Sequence, residues 1–281
     1  MISELPLVSG AFFGLRHDRD SYSYYSKLLA NLAEQSGQRL TVFTNEPDRL
    51  DPGLNCLHVP SLEPYVRSVW DVDDWKVRYH KALERHKRNL TSAQYLYPDL
   101  PAMYLAKVPL MCEAAKTHGA CLWIDAGLLF STHFDHKVPN HDVGYHAESL
   151  RGRFFPAAQN LADLSHVFVS HFTRKYKLFR NSVPRFHGSS HRDMDAYAAK
   201  LGLVPDMTYV AAGVFYVHAS AADSLLNEFR DAWRVLIDMG GIGTEENVLS
   251  ALRWRHGWPG LGVNEWVEQM VDPRILAYSR G

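Results

Sequence analysis

The sequence predicts an α/β protein with a mostly parallel central sheet flanked by helices and a mixed second half. Three observations support this fold class. Short β-rich runs alternate with helical patterns over the first half, which is typical of parallel sheets. The first strand, helix and strand together span roughly 40 residues, the size of one crossover unit. The length of 281 residues suits one large α/β domain or two small ones.

The first half supplies most of the predicted strands. An apolar run at residues 7–15 predicts a strand that leads into a polar loop, and residues 25–34 carry apolar side chains at helical spacing. Residues 40–44 and 54–59 predict two further short strands. The charged stretch 66–90 is helical in character and is typical of a solvated helix face.

The rest of the chain mixes strands and helices. In chain order, the remaining predicted elements are a helix at 103–116, a strand at 121–124, short strands at 142–146 and 166–170, a strand at 209–218, and helices at 221–239 and 244–254. Thr244 stands where the N-cap of the last helix belongs. We expect one domain with a soft boundary near residue 135.

The composition excludes several classes of protein. A formal net charge of −1 provides no overall field for nucleic acid, so general nucleic-acid binding is not expected. No apolar run reaches the ~18 residues of a membrane span. The three cysteines lack CxxC spacing, which favours a reducing compartment. We therefore expect a cytoplasmic protein without a transmembrane segment, and a position at the membrane surface stays open.

One acidic residue follows the apolar strand at 121–124. Ligands of open α/β sheets bind beyond the carboxyl ends of the strands, where Asp125 is placed. Gly127 permits a tight turn and the close approach of a ligand. A carboxylate there can hold a divalent cation, Mn²⁺ or Mg²⁺, that stabilises a departing diphosphate. The alternative is that Asp125 only forms a turn, because Asp and Gly dominate turns.

A second set of residues lies in the last third of the chain. Ala212 and Gly213 interrupt the strand at 209–218, and small residues in a strand indicate close approach by another group, such as a sugar. Glu245 and Glu246 lie in the first turn of the last predicted helix, where the dipole favours anions. Helix capping alone explains them, whereas a catalytic role needs one carboxylate to face the cleft.

The sequence contains 15 histidines. His218 could complete a metal site with Asp125, and His191 could neutralise a diphosphate. No HxxxH-type ligand spacing supports either role. Taken singly, each histidine is better explained as an ordinary polar residue.

Several segments together match a known family. They are residues 122–128, which contain Trp-Ile-Asp-Ala-Gly, residues 104–107, the opening segments 8–13 and 41–44 with Tyr25 between them, and the late segments 212–215 and 244–246. Over residues 7–252, with 131–200 the weakest part, the chain resembles the WlaTC/HtrL (YibB-like) family of glycosyltransferases. The resemblance implies a GT-A-like (Rossmann-like) fold and a nucleotide-sugar donor. Asp125 then takes the place of the acidic metal-binding motif, and Gly127 replaces its second acid.

The motifs and the resemblance together predict roles for individual residues. Asp125 and Glu245 are the predicted catalytic residues, and Asp125 and His218 are the predicted metal ligands. Lys107 faces the donor phosphates or pairs with Asp125. The predicted donor-binding residues are Phe12 and Phe43 as walls around the base, Thr44, Lys107, Trp123, Asp125, Ala126, Gly127 and His191, and the predicted acceptor-binding residues are Ala212, Gly213 and Glu246.

We therefore predict a transferase that moves a sugar from a nucleotide-sugar donor to a hydroxyl or amine of a glycan, a lipid-linked saccharide or a small molecule. In this prediction residues 1–135 form the nucleotide-binding half and residues 136–281 the acceptor-binding half of one domain. Two alternatives stay open. One is a nucleotidyltransferase or sugar-phosphate hydrolase on a similar fold, although residues 9–14 lack P-loop and dinucleotide spacing. The other is a non-catalytic carbohydrate-binding protein.

Overall fold

A seven-stranded sheet forms the centre of the structure. The structure is a computed structural model, and it describes residues 6–16, 20, 25–26, 28–30, 33, 40–85, 97–126, 167–173, 185–186, 189–206, 208–241 and 243–262. Its strands are β1 Leu7–Ala11, β2 Leu40–Thr44, β3 Asn55–His58, β4 Ala120–Ile124, β5 Val167–Thr173, β8 Thr208–His218 and β9 Gly260–Gly262. Two short strands, β6 Arg185–Phe186 and β7 Ser189–Ser190, form a separate antiparallel pair.

The strands of the central sheet lie in the order β3-β2-β1-β4-β8-β5-β9. The first four in this order are parallel to one another. β8 is antiparallel to both of its neighbours, β4 and β5, and β9 is parallel to β5. Every strand of this sheet except β8 therefore points the same way, and their carboxyl ends meet along one side. We call this side the carboxyl edge.

Helices surround the sheet. They are α1 Glu63–Val69, α2 Trp75–Arg85, α3 Pro101–His118, α4 His191–Lys200, α5 Ala219–Asp238 and α6 Glu245–His256, and residues 25–26, 28–30 and 33 are also helical. A 3-10 turn spans Pro47–Arg49. α3 packs against α1, α5 and β4, and 12 of its 18 residues are buried, which explains why it lacks a continuous polar face.

The two faces of the sheet bury different cores because successive side chains of a strand point to opposite sides. In β4, Cys121 and Trp123 join the larger core, which includes residues of α1, α3, α5 and α6. Leu122 and Ile124 join the smaller core, to which the helical residues Tyr25 and Leu29 contribute. β4 is thus buried on both faces, as its uninterrupted apolar sequence predicts.

The predicted fold class is confirmed: a mostly parallel sheet is flanked by helices, and the second half of the chain is mixed. The charged stretch 66–90 contains parts of two helices, α1 and α2, separated by residues 70–74. The predicted strand at 142–146 and the boundary near residue 135 lie outside the described residues. Within the described part of the chain, no helix has the length and apolar character needed to cross a membrane.

Candidate active site

The candidate site lies where the chain order of the sheet reverses. From β1 the chain proceeds through β2 and β3 on one side, and β4 then lies on the other side of β1. Open α/β sheets bind ligands at such a point, beyond the carboxyl ends of the strands. Asp125 follows β4 directly. Because β8 is antiparallel, its early residues also reach this edge, and the Asp125 N–H donates to the Gly213 carbonyl oxygen at 2.8 Å.

Both carboxylate oxygens of Asp125 have partners. The Trp123 indole N–H donates to Oδ1 at 2.6 Å. The Lys107 ammonium donates to Oδ2 at 3.0 Å. The side chain of Asp125 is nevertheless 38% exposed. The two contacts fix the direction of the carboxylate, and its remaining lone pairs stay accessible to a ligand.

Trp123 holds Asp125 from within the core. Its ring is fully buried, and its centroid lies 6.5 Å from that of Phe43 and 6.3 Å from that of Phe215 in stacked arrangements. A Cβ on Gly10 would lie 3.1 Å from the Trp123 ring, so glycine gives this ring its space. Phe43 is likewise buried. Both rings, predicted to bind the donor, are therefore part of the core, and the indole N–H is the group of Trp123 that contacts Asp125.

Lys107 is the charged residue among the buried positions of α3. It is 5% exposed. Its ammonium contacts Glu245 Oε1 at 2.7 Å, Asp125 Oδ2 at 3.0 Å and the Ala212 carbonyl oxygen at 3.3 Å. Burial disfavours the charge, but Asp125 and Glu245 outweigh burial and raise the pKa of Lys107 above its ordinary value. Lys107 is therefore a cation at physiological pH that joins α3 to β4, β8 and α6.

Glu245 is the buried counter-ion of Lys107. It is 4% exposed, and its Oε2 has no hydrogen-bond partner within the described part of the chain. Burial raises the pKa of Glu245 despite the opposing effect of Lys107, and the charges of Glu246 and Asp125 add to the increase. Burial also raises the pKa of the Tyr104 hydroxyl, and Glu245 raises it further. Two carboxylates, Asp125 and Glu245, thus contact one ammonium, and the carboxylate of Glu246 lies beside them on the Ala212 N–H.

α6 completes the hydrogen bonding of β8 where β4 ends. The Ala212 N–H donates to Glu246 Oε1 at 2.9 Å. The Val210 N–H donates to Ser250 Oγ at 2.8 Å. These N–H groups are two residues apart and point to the same side of the strand, where α6 provides acceptors in place of a neighbouring strand. The group that closely approaches the small residue Ala212 is therefore a helix of this chain.

The first turn of α6 is fixed by a capping box. The Thr244 hydroxyl accepts from the Glu246 N–H at 3.3 Å, and Asn247 Oδ1 accepts from the Thr244 N–H at 2.8 Å. The prediction that Thr244 is the N-cap is confirmed. A Cβ on Gly243 would lie 2.6 Å from Asn247 Oδ1, so this cap requires glycine beside it. The cap determines where the helix begins and so where Glu245 and Glu246 lie.

A pocket of about 280 Å³ lies farther along the carboxyl edge, at the ends of β1, β2 and β3. Phe12 and Phe13 line it together with Asn45, whose side chain accepts from the Phe13 N–H at 2.9 Å and donates to the Phe13 carbonyl at 3.0 Å. Lys76 and Asp99, which form an ion pair, lie on the helical side. The pocket therefore combines aromatic and polar walls, as small-molecule sites commonly do.

The other predicted donor-binding residues have varied positions. Ala126 is buried directly after Asp125. Thr44 is buried at the end of β2, where its hydroxyl accepts a backbone N–H from the following turn at 3.2 Å. His191 begins α4, but its side chain, like the whole of Gly127, lies outside the described part of the structure.

His218 lies at the opposite end of the sheet from Asp125. It pairs with Ala120, the first residue of β4, whereas Asp125 follows the last residue of that strand. The length of strand between the two levels is about 16 Å at the usual rise per residue. His218 caps α5 and accepts from the Ser220 N–H at 3.2 Å. The prediction that Asp125 and His218 share a cation is therefore wrong, because the sheet separates them.

The described residues do not fit a divalent cation held by the protein. Among them, no three His, Cys, Asp or Glu side chains form a group that could hold a metal ion. Asp125 provides one half-exposed carboxylate, and the neighbouring Glu245 carboxylate is bound to Lys107. Hard cations such as Mg²⁺ prefer several oxygen ligands at short distances. The prediction of Mn²⁺ or Mg²⁺ therefore gains no ligand set from this part of the chain.

Three contributions to the site were missed in the sequence. They are the Ala212 carbonyl, the Ser250 hydroxyl and the Tyr79 hydroxyl, which donates to the Gly243 carbonyl at 2.8 Å. The sequence did indicate that Lys107 needs partners, because it is the only charged residue in the apolar stretch 101–112 and a buried cation requires a counter-ion. It did not indicate which groups those partners are. Backbone carbonyls carry no such indication.

Comparison with known proteins gives a distant structural likeness. No family model matches the sequence, and no curated protein matches it. Among solved structures, the chain is similar to apo mouse xyloside xylosyltransferase 1, with 9% identity and a TM-score of 0.45. The match covers 91% of this chain and 83% of the mouse chain. These values are too low to assign an activity, and the resemblance to the WlaTC/HtrL family stays a prediction.

Proposed function

We propose that this chain is a glycosyltransferase that moves a sugar from a nucleotide-sugar donor to a hydroxyl or amine acceptor. The observation that carries the proposal is the position of Asp125. It is a half-exposed carboxylate, held on both oxygens, at the reversal point of the sheet. Carboxylates in this position accept hydrogen bonds from ligand hydroxyls in open α/β sheets, so Asp125 is suited to a ribose or a sugar.

The donor is proposed to lie along the carboxyl edge. The pocket at the ends of β1, β2 and β3 receives the nucleoside, and the sugar lies toward Asp125 at the end of β4. β2 and β4 are two strand spacings apart, about 10 Å, so one extended ligand reaches both places. The acceptor then approaches from β8 and the first turn of α6, where Gly213 and Glu246 are partly exposed.

The proposed reaction exchanges one bond at the anomeric carbon. The bond from this carbon to the donor phosphate breaks, its electron pair leaves with the nucleotide, and the acceptor oxygen or nitrogen forms the new bond. A base takes the acceptor proton. Glu245 is nearly fully buried and bound to Lys107, so we assign it to holding Lys107. Glu246 is less buried and is assigned to the acceptor side as the base.

The test is a thermal-shift screen of the wild type and Asp125→Asn against UDP-, GDP-, CMP- and TDP-sugars. A ligand that binds only the folded state raises Tm. We expect one nucleotide class to raise the Tm of the wild type and to raise that of Asp125→Asn much less. For the donor that binds, release of free nucleotide is then measured and is expected to fall by about tenfold or more in the variant.

The matched control is Asp231→Asn on the surface of α5, where Asp231 is 76% exposed. This control is expected to bind and turn over the donor like the wild type. If Asp125→Asn keeps both the shift and the turnover, Asp125 is not part of the site. Binding of a sugar without release of nucleotide from any donor favours a carbohydrate-binding protein. The absence of a shift with every donor contradicts the proposed function.

A further inference from the structure

We propose that the Lys107 ammonium is the resident cation of this site and takes the place of a divalent metal ion. This inference names the positive charge that balances the carboxylates of Asp125 and Glu245. Its catalytic part rests on the proposed function. It begins from the contacts of a single nitrogen atom. The ammonium Nζ lies within hydrogen-bond distance of three oxygens from three separate elements of the fold.

The number of contacts matches the chemistry of an ammonium group. A lysine ammonium has three N–H donors and no acceptor. Here the three oxygens are Glu245 Oε1, Asp125 Oδ2 and the Ala212 carbonyl. Each donor of Lys107 therefore has an acceptor within the protein. This accounting supports the predicted pairing of Lys107 with Asp125 over a direct contact with donor phosphates.

The distances match an ammonium better than a metal ion. The three oxygens lie 2.7, 3.0 and 3.3 Å from Nζ, which are hydrogen-bond lengths. Oxygen ligands lie about 2.0–2.1 Å from Mg²⁺ and about 2.3–2.6 Å from Ca²⁺. The oxygens are also anchored, because Glu245 follows a capped helix start and Ala212 is part of β8. The cage is therefore shaped for Lys107.

The resident ammonium changes the role of Asp125. Asp125 already accepts from Trp123 and from the Lys107 ammonium, and these contacts fix its direction and balance its charge. The lone pairs that remain on this half-exposed carboxylate accept hydrogen bonds from hydroxyl groups of the ligand, and the ammonium supplies the positive charge that a divalent cation would otherwise bring. Replacing Lys107 with an apolar side chain of similar length removes the ammonium and leaves the three oxygens facing one another.

The experiment measures Mn²⁺ binding by the loss of the EPR signal of free Mn²⁺, which needs no knowledge of donor or acceptor. The wild type, Asp125→Asn, Lys107→Met and the double variant Lys107→Met/Asp125→Asn are compared at about 1 mM Mn²⁺. We expect the wild type and Asp125→Asn to show the same Mn²⁺ binding, because the wild type holds no Mn²⁺ at Asp125. Lys107→Met is expected to bind Mn²⁺ about tenfold or more tightly than the wild type, and the double variant is expected to lose this gain.

The control is Lys116→Met, which removes an exposed lysine from the same helix and is expected to behave like the wild type. Mn²⁺ binding by the wild type that Asp125→Asn abolishes would overturn the proposal. A folded Lys107→Met that gains no Mn²⁺ would also overturn it. If Lys107→Met does not fold, the comparison of the wild type with Asp125→Asn decides alone.

Turnover supplies an independent measurement once a donor is known. The wild type treated with EDTA is expected to keep its rate within about twofold, because no step at Asp125 depends on a metal. A rate that EDTA abolishes and Mn²⁺ restores would refute the resident-cation proposal and leave the glycosyltransferase proposal intact. Conversely, if no donor is found, the EPR measurements still decide whether Lys107 occupies a cation site.

Discussion

Removal of the buried ammonium should destabilise the fold by a large and pH-dependent amount. In Lys107→Met, the Glu245 carboxylate loses its counter-ion while remaining 4% exposed. Breaking a buried ion pair by removing one partner costs about 3–5 kcal/mol, because a charge is left uncompensated. Asp125 is 38% exposed and adds little, since water solvates it. For a chain of this size the loss corresponds to a decrease in Tm of roughly 5–9 °C.

The pH dependence follows from the raised pKa of Glu245. A carboxyl group with a raised pKa favours the folded state below its unfolded pKa, near 4.5, and this contribution is lost as pH rises through the folded pKa. Lysine opposes the increase, so its removal raises the pKa of Glu245 further. The free-energy deficit of Lys107→Met is therefore expected to be largest near about pH 8 and to shrink toward about pH 5.

The assay is urea unfolding of the wild type, Lys107→Met, Glu245→Gln and the double variant at both pH values. Glutamine removes the buried charge at nearly constant volume, so the double variant should recover most of the loss seen at about pH 8. Lys116→Met, at a half-exposed position of α3, should change the free energy of unfolding by less than about 0.5 kcal/mol. The reasoning is refuted if Lys107→Met is as stable as the wild type at the higher pH, or if the double variant is no more stable than Lys107→Met.

Two further predictions concern other parts of the structure. Trp123→Phe keeps a buried aromatic ring but loses the N–H that holds Asp125. The free energy of unfolding should therefore decrease by about 2–4 kcal/mol, and the donor-induced increase in Tm should become smaller. If neither quantity changes, Trp123 does not position Asp125. Burial raises the pKa of Asp206, but hydrogen bonds from Thr208 and Arg253 outweigh burial and lower it. Its stabilising contribution is thus present above about pH 3.8 and is lost as pH falls further. Asp206→Asn should therefore be less stable than the wild type at neutral pH, and acid titrations of unfolding should show this difference narrowing below that pH.

Much of the fold could be predicted because local patterns determine it. The apolar run before Asp125 and the cap at Thr244 each indicate one element and one of its ends, whereas the small residues near Gly213 lie in the middle of β8. The direction of β8 could not be predicted, since alternation in a strand is the same in both directions. That direction brings Gly213 to the carboxyl edge and sends His218 to the other end, which is why the histidine pairing with Asp125 is wrong.

The candidate site was predicted in part. Asp125 was placed at the edge by the rule for parallel sheets, and the structure agrees with that position. The contact between Lys107 and Glu245 depends on packing between helices that are far apart in the sequence, so no spacing indicates it. The burial of Phe43 and Trp123 was missed for a related reason: aromatic residues next to a site serve equally well as core, and only the packed structure distinguishes the two.

The cage around Lys107 also constrains the order in which the protein folds. α3 lies next to β4 in the chain, so these two elements can pack early. The Ala212 carbonyl is 105 residues away from Lys107, and Glu245 lies later still, so their contacts close long loops and form late. Until then, packing α3 in an apolar core would leave the ammonium with Asp125 as its acceptor and without Glu245 and the Ala212 carbonyl. Partly folded chains that bury α3 before α6 arrives are thereby disfavoured, and the early core and the last contacts of the site become one cooperative unit.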